Sequence, residues 1–172
     1  NNTFAHQTIP DIRLAVDVNT VAPMGLTLQV LPDMLRRNRG HICNIASAGG
    51  MLGNPKMSVY GASKWAVIGW SESMRIELQQ RQANVHVTTV APYFISTGMF
   101  AGVRSIFPIL KPEPTAKKII RAIERNTIFA GIPFGYHFIR FWQAILPLRV
   151  FDWLFGTVFG IYRTMDHFTG RK

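Results

Sequence analysis

A tyrosine and a lysine four positions apart, with a serine upstream of both, are the residues whose types and spacing could support chemistry. Tyr60 and Lys64 would lie one turn apart on one face of a helix. A tyrosine has an unperturbed pKa of about 10, and a neighbouring ammonium lowers that pKa by favouring the phenolate. We therefore predict that Tyr60 is a general acid/base for an alcohol or carbonyl oxygen, and that Ser47 stabilises charge developing on that oxygen. The alternative is a solvated Tyr-Lys pair on an amphipathic helix, with Ser47 as an ordinary cap.

Apolar and β-branched runs on either side of these residues predict the elements that position them. Residues 40–46 form an apolar run that predicts a buried strand ending just before Ser47. A long helix over about residues 58–80 would carry the tyrosine and the lysine, and the β-branched residues of 84–91 predict the next strand. Two more predicted elements follow, a helix over residues 112–126 and a short strand over residues 127–131.

A proline inside the first predicted helix indicates an irregularity close to a polar residue. This helix begins near Pro10, and its apolar pattern continues to about residue 40. Pro23 has no N–H, so the carbonyl of Asn19 cannot accept its usual helical hydrogen bond, and we predict a bend over residues 19–23. The alternative is a kinked core helix in which the asparagine is incidental.

Taken together, the strand, Ser47 and the Tyr60-x-x-x-Lys64 pair resemble the short-chain dehydrogenase/reductase family over about residues 19–97. The resemblance implies an α/β fold, namely the C-terminal half of a Rossmann-type, doubly wound parallel sheet. It implies an oxidoreductase that uses NAD or NADP to interconvert an alcohol and a carbonyl. It also implies a catalytic set of four residues, Asn19, Ser47, Tyr60 and Lys64.

The same resemblance implies which residues contact the cofactor. Lys64 would bind the nicotinamide ribose as well as tune Tyr60, and Asn19 would hold a water that links Lys64 to solvent. Tyr93 stands where the family has glycine, so its side chain either alters the approach of the nicotinamide or points away. The implied cofactor contacts are Asn1, Tyr60, Lys64, Pro92, Ile95 and Thr97.

The glycine-rich turn with which this family binds the dinucleotide pyrophosphate is not found in the sequence. The expectation is therefore that three strands and two helices are missing at the N-terminus, as in a fragment or a truncated gene product. Two functions are then open. One is an oxidoreductase for a lipophilic alcohol or carbonyl substrate, which would form a homodimer or tetramer when intact. The other is a non-catalytic remnant that acts as a membrane-surface or partner-binding protein.

Positive charge and aromatic residues concentrate toward the C-terminus. The net charge is +10, and residues 101–172 hold eleven basic and four acidic residues, a net +7. No zinc-finger spacing, helix-turn-helix signal or ribonucleoprotein motif accompanies this charge, so we predict no nucleic-acid partner. We predict an aromatic, basic helical extension over residues 132–172, following a catalytic domain over residues 1–131. Its closing segment, residues 165–171, is similar to that of retinol and 17β-hydroxysteroid dehydrogenases.

Three alternatives remain for the surface of this aromatic extension. It could lie at a membrane interface as a helix pair, form an oligomer contact, or cover an apolar substrate pocket. Its charge is equally compatible with an ordinary solvated basic face. No stretch of it reaches the roughly 18 apolar residues that a spanning helix needs. With no visible secretory leader, the expected location is cytoplasmic, with peripheral contact to the cytoplasmic face of a membrane as the variant. No metal site is predicted.

Overall fold

The first helical segment contains one π turn, close to the proline that the sequence singled out. The computed structural model describes residues 3–170, apart from the side chain of His137. The segment comprises helix α1 (Ile9–Val16), a π turn (Asp17–Val21) and helix α2 (Ala22–Arg36). Ala22 donates its N–H to the carbonyl of Asp17, five residues back. The π turn thus occupies the region of the predicted bend, where Pro23 has no N–H to donate.

Three parallel strands form the sheet. They are β1 (Gly40–Ile45), β2 (Val85–Pro92) and β3 (Phe129–Ile132), hydrogen-bonded in the order β1-β2-β3. Ile42 pairs with Val87, and Val90 pairs with Ala130. Parallel neighbours need a crossover connection, which is provided by helices α3 (Ser58–Gln80) and α4 (Pro112–Glu124). The predicted α/β class with a parallel sheet is confirmed.

Helix α3 packs on the sheet through small and apolar side chains and shares one buried polar contact with it. Val67 and Leu78 are buried on its inner face. Asn44 of β1 donates to the Ser71 hydroxyl of α3 at 2.8 Å, and that hydroxyl donates to the carbonyl of Val67. The buried amide is therefore paired, and β1 is fixed in register against the helix that carries Tyr60 and Lys64.

The C-terminal residues form several short helical turns, and the described residues do not show the helix pair that was one of the three alternatives for this extension. These are a 3-10 turn (Phe134–Phe138), helix α5 (Ile139–Ile145), helix α6 (Leu148–Phe151), a π segment (Asp152–Val158) and a 3-10 turn (Ile161–Arg163). Pro147 separates α5 from α6, and Gly160, with φ of +64°, precedes the last turn. These two residues are the physical reason that one continuous pair does not form.

One hydrophobic cluster joins this aromatic extension to the end of the sheet. It includes Ala46 after β1 and Ala91 of β2, together with Ile139, Phe151 and Met165 from the extension. Part of the extension is therefore core, as expected of a cover over an apolar pocket. The division of the chain at residues 131 and 132 stays a prediction.

Candidate active site

The turn after β1 brings Ser47 next to the start of α3. The Ser47 hydroxyl accepts a hydrogen bond from the N–H of Gly49 at 3.1 Å, so it caps the short turn Ala48–Gly50. A Cβ on Gly50 would lie 2.7 Å from the carbonyl carbon of Lys64. Only glycine permits so close an approach of the turn to the helix backbone. Ser47 therefore caps this turn and also lies beside Tyr60.

Burial decides the ionisation of Tyr60. Its ring lies edge-on to Phe100, with 6.3 Å between the ring centroids. Burial raises the pKa of Tyr60, and a hydrogen bond with the Ser47 side chain acts in the opposite direction. The net shift is upward, which is opposite to the lowering that we predicted from Lys64.

Lys64 makes a different contact from the one that would tune the tyrosine. Its Nζ donates to the carbonyl oxygen of Ile45 at 3.0 Å. Burial lowers the pKa of Lys64. The ammonium thus ties α3 to the end of β1. The predicted lowering of the Tyr60 pKa was wrong, because burial raises it and Lys64 is not among the groups that lower it.

The π turn docks Asn19 onto α3. Asn19 Nδ2 donates to the Ser63 hydroxyl at 3.1 Å, and Thr20 Oγ1 donates to the Ser63 carbonyl at 3.0 Å. The Ser63 hydroxyl in turn donates to the carbonyl of Tyr60 at 2.7 Å. Sequence reasoning identified Asn19 but missed Thr20 and Ser63, although Ser63 lies between the tyrosine and the lysine of the motif.

A cavity of about 300 Å³ brings the predicted site residues together. It lies at the carboxyl ends of β1 and β2, which is where parallel α/β sheets bind ligands. Asn1 lies outside the described residues. The other predicted residues all line the cavity: Asn19, Ser47, Tyr60, Lys64, Pro92, Ile95 and Thr97.

The remaining wall of the cavity is apolar and aromatic, and sequence reasoning found little of it. Tyr93 is buried and is among the residues that line the cavity, and its hydroxyl forms a 2.7 Å hydrogen bond with Ser105, which is not among them. This bond fastens the following loop, and the effect of Tyr93 on the approach of the nicotinamide stays a prediction. Other lining residues are Leu52, Asn54, Met57, Phe94, Met99, Phe100, Tyr136 and Ile161. The sequence did not single out Tyr136 as a cavity residue, because it is one of many aromatic residues in the extension.

The arrangement can deliver a proton and hydrogen bonds to a ligand oxygen, without a metal ligand set. Within residues 3–170, no group of three or more His, Cys, Asp or Glu side chains could hold a metal ion. Lys64 Nζ has three N–H donors, and one is used by Ile45. Ser47, Tyr60 and Lys64 therefore offer hydroxyl and ammonium groups at one cavity.

Comparison with known proteins gives a consistent result. A profile of the short chain dehydrogenase family matches residues 1–106. The chain is 38% identical over 161 residues to mouse epidermal retinol dehydrogenase 2, covering 91% of this chain and 52% of the mouse protein. It is 38% identical over 132 residues to ketoacyl reductase HetN of Nostoc sp., covering 74% and 45% of the two chains.

A solved structure shares the fold. The short-chain dehydrogenase from Sphingobium yanoikuyae, in complex with NADPH, superimposes with a TM-score of 0.72 at 26% sequence identity, covering 84% of this chain and 57% of that one. The chain therefore spans about half the length of the relatives that it matches. The family profile, the curated relatives and the parallel sheet all agree with the resemblance inferred from the sequence. That resemblance included retinol dehydrogenases. The chain belongs to the short-chain dehydrogenase family and has part of its Rossmann-type fold.

Proposed function

We propose that this chain carries the catalytic half of an NAD- or NADP-dependent oxidoreductase that interconverts a lipophilic alcohol and the corresponding carbonyl compound. The observation that carries the proposal is the meeting of Ser47, Tyr60 and Lys64 at one largely apolar cavity. The family supports oxidoreductase chemistry in general. The apolar wall, with side chains such as Leu52, Phe94 and Phe100, supports a lipophilic substrate.

The residues present fit the nicotinamide end of a dinucleotide. Lys64 keeps unused N–H donors beside the cavity and could bind ribose hydroxyls. Pro92, Ile95 and Thr97 line the same cavity after β2, at the sheet edge where such cofactors bind. The cofactor, when bound, would supply or accept the hydride. The relative from Sphingobium yanoikuyae holds NADPH, and the choice between NAD and NADP stays open here.

The chain's own residues would manage the proton on the reacting oxygen. In the reduction direction, Tyr60 donates a proton to the oxygen as the carbonyl becomes an alcohol. A phenol with the ordinary pKa of about 10 is already protonated at neutral pH, so the proton for this step is available. Ser47 donates a hydrogen bond to the same oxygen. Asn19 holds Ser63, and through it the first turn of α3, in place.

The decisive variant is Tyr60→Phe, which removes only the phenolic hydroxyl. Turnover of lipophilic ketones should fall by about 10³-fold or more, because general acid/base catalysis typically contributes about 10²–10⁴-fold. Nicotinamide fluorescence titrations with NADH and NADPH should give nearly unchanged affinity. Both measurements apply to this chain and to any longer product of its reading frame.

Tyr162→Phe is the matched control for losing one tyrosine hydroxyl. The Tyr162 hydroxyl donates to Asp152, and Tyr162 is not among the residues that line the cavity. Turnover in this control should stay near that of the parent chain. Comparable turnover in Tyr60→Phe and Tyr162→Phe would end the proposed role of Tyr60.

A second candidate function, binding to an anionic membrane surface, has an observation of its own. The aromatic extension exposes Phe134 at 71%, Leu148 at 73% and Trp153 at 60% of their surfaces. The net charge of residues 101–172 is +7. Apolar side chains among basic ones are typical of peripheral membrane contact.

The first helical segment bears on the same question. Residues 9–36 have a mean hydropathy of 1.3 in their most apolar window, of which 11% is buried, and are long enough to cross a membrane. That property alone is weak support, because core helices and signal sequences share it. The exposed apolar residues of α1 and α2, such as Leu14 and Leu26, would serve a homodimer or tetramer contact equally well.

Vesicle co-sedimentation separates these functions. Binding to vesicles that contain phosphatidylserine should exceed binding to phosphatidylcholine vesicles and weaken with added salt. Replacing Trp153 by serine should reduce binding, whereas Trp65→Ser, which changes a tryptophan on α3 that is 51% exposed, should not. Equal loss in both variants, or binding that ignores lipid charge, would remove the membrane proposal.

A further inference from the structure

A groove between helix α4 and strand β3 collects basic side chains away from the catalytic cavity. It has a volume of about 330 Å³, and none of its lining residues lines the active-site cavity. Lys118, Arg121 and Arg125 line it, and all three residues are exposed. Among the described residues that form its wall, none is acidic. The groove therefore holds three positive charges that the proposed proton transfer does not use.

The three cations form one row. Lys118 and Arg121 are three positions apart, and Arg121 and Arg125 are four apart, so their side chains follow one another along one face of α4. Arg125 continues this row at the helix end, where its N–H donates to the carbonyl of Arg121 at 3.1 Å. Within residues 3–170, none of the three forms an ion pair. Lys117, on the same helix, differs because its Nζ lies 2.7 Å from Glu113 Oε1.

The floor and one rim of the groove are apolar. Ala122 of α4 and Ile132 of β3 are buried and form part of the floor. Phe134, which follows β3, lines the groove with most of its surface exposed. Its ring lies edge-on to that of Phe138, with 5.7 Å between the centroids, and Phe138 is also exposed. A ligand in this groove would therefore meet cations on the helix side and aromatic surface on the strand side.

These two sides favour an anionic lipid as the occupant. A guanidinium has a fork of N–H donors that matches phosphate oxygens. Like charges four positions apart on a helix repel, so a phosphate that contacts Arg121 and Arg125 together would offset that repulsion. A free phosphate ion would satisfy the cations but leave Phe134 in water. A lipid in a bilayer satisfies both, because the phosphate lies at the headgroup level and a phenyl ring can enter the interface beside it.

We propose that the groove between α4 and β3 binds the phosphate of an anionic lipid headgroup. Lys118, Arg121 and Arg125 contact the phosphate, and Phe134 enters the membrane interface. The inference goes beyond the oxidoreductase function and rests on the second candidate function, membrane binding, for which it names the site. Binding then depends on these positions rather than on the total charge of the chain.

The test compares neighbouring cations of one helix. Co-sedimentation measures binding of the full chain to phosphatidylcholine vesicles that contain phosphatidic acid, at fixed ionic strength. Lys118→Gln, Arg121→Gln and Arg125→Gln should each weaken binding about fivefold, the usual contribution of one basic residue near an anionic surface. Lys117→Gln removes the same charge from the next position, which does not line the groove, and should weaken binding about twofold or less.

A second pair of variants tests the aromatic rim. Phe134→Ser should weaken vesicle binding, and this loss should persist at high salt, where the contribution of the cations is screened. Phe4→Ser, at an exposed position that does not line the groove, should leave binding unchanged. All these variants should keep the thermal unfolding midpoint of the parent chain, because the changed side chains are exposed.

A further measurement separates a lipid from a free phosphate ion. Sodium phosphate should release no more protein from the vesicles than sodium chloride of the same ionic strength. Greater release by phosphate would mean that the groove takes a free phosphate ion, which would overturn the assignment to a lipid.

Equal weakening in Lys117→Gln and in the three groove variants would overturn the site, since total charge would then explain binding. If Trp153→Ser still weakened binding in that case, the membrane candidate would stand without this site. A parent chain that does not bind the vesicles would overturn both. These readouts are independent of turnover in Tyr60→Phe, so failure of the site and failure of the oxidoreductase function are distinguishable.

Discussion

The two walls of the cavity differ in how far apart in the sequence their contacting residues lie. The catalytic wall comes from one turn and the first helical turns after it, so Ser47, Tyr60 and Lys64 lie within 18 consecutive residues. The second wall, formed by Asn54, Tyr93 and Tyr136, depends on distant contacts. Asn54 lies between Ser47 and Tyr60 in the sequence, but it bonds Thr164, which is 110 positions away. Short-range geometry thus places the proposed catalytic residues, whereas long-range packing shapes the rest of the cavity.

After that of Tyr60→Phe, the largest expected effect also lies on the catalytic wall. Ser47→Ala should lower turnover by about 10²–10³-fold, the usual loss when one oxyanion donor is removed. Ser47 also caps the turn at Gly49, so Ser47→Thr, which keeps the hydroxyl, is the control and should retain most activity. A small loss in Ser47→Ala, measured under single-turnover conditions, would mean that capping is the main role of this serine.

A change at a glycine would disrupt the same wall without altering the side chains of Ser47, Tyr60 or Lys64. Gly50→Ala introduces a Cβ 2.7 Å from the backbone of Lys64, which forces the turn and α3 apart. We expect a loss of about 1–3 kcal/mol in the free energy of unfolding, as for other overpacked sites, measured by urea denaturation. Gly53→Ala is the control, because its Cβ would meet no atom within 4 Å. Equal stability of the two variants would contradict the close approach.

The second wall should affect the free energy of unfolding. Thr164→Val keeps the side-chain shape but leaves the Asn54 amide and the Ile161 carbonyl without their partner. Because unpaired buried groups cost about 1–3 kcal/mol each, the free energy of unfolding should fall by about that amount. Thr157→Val, at an exposed position of the same extension, should change it little. A neutral Thr164→Val would mean that the contact between the turn and the extension is incidental.

The smallest effect should come from an ion pair that joins the same two segments. Lys56 Nζ lies 3.3 Å from Asp166 Oδ1, and the two side chains are 32% and 49% exposed. Lys56→Gln should therefore cost less than about 1 kcal/mol in the free energy of unfolding. Salt should screen most of that difference in chemical denaturation experiments. A larger loss than in Thr164→Val would reverse the ranking of buried and exposed contacts.

Prediction from the sequence succeeded where local patterns decide the outcome. The bounds of α3 match the predicted residues 58–80, and the π turn lies where Pro23 indicated a bend. Sequence reasoning failed for the ionisation of Tyr60, because spacing gives the position of Lys64 but not the burial of the phenol. It left three alternatives open for the aromatic extension, and the breaks at Pro147 and Gly160 exclude a pair of continuous helices.

By itself, the sequence determined the family, the order of strands and helices, and the face of α3 that carries Tyr60 and Lys64. The elements and the face of α3 follow from periodicity, which acts over a few residues, whereas the family follows from the resemblance carried by Ser47 and the Tyr60-x-x-x-Lys64 motif. Only the tertiary structure decided that Lys64 bonds the carbonyl of Ile45. It alone decided that Tyr136 of the aromatic extension lines this cavity and packs on Tyr93. Such contacts depend on how distant segments pack, and no local pattern in the chain records that packing.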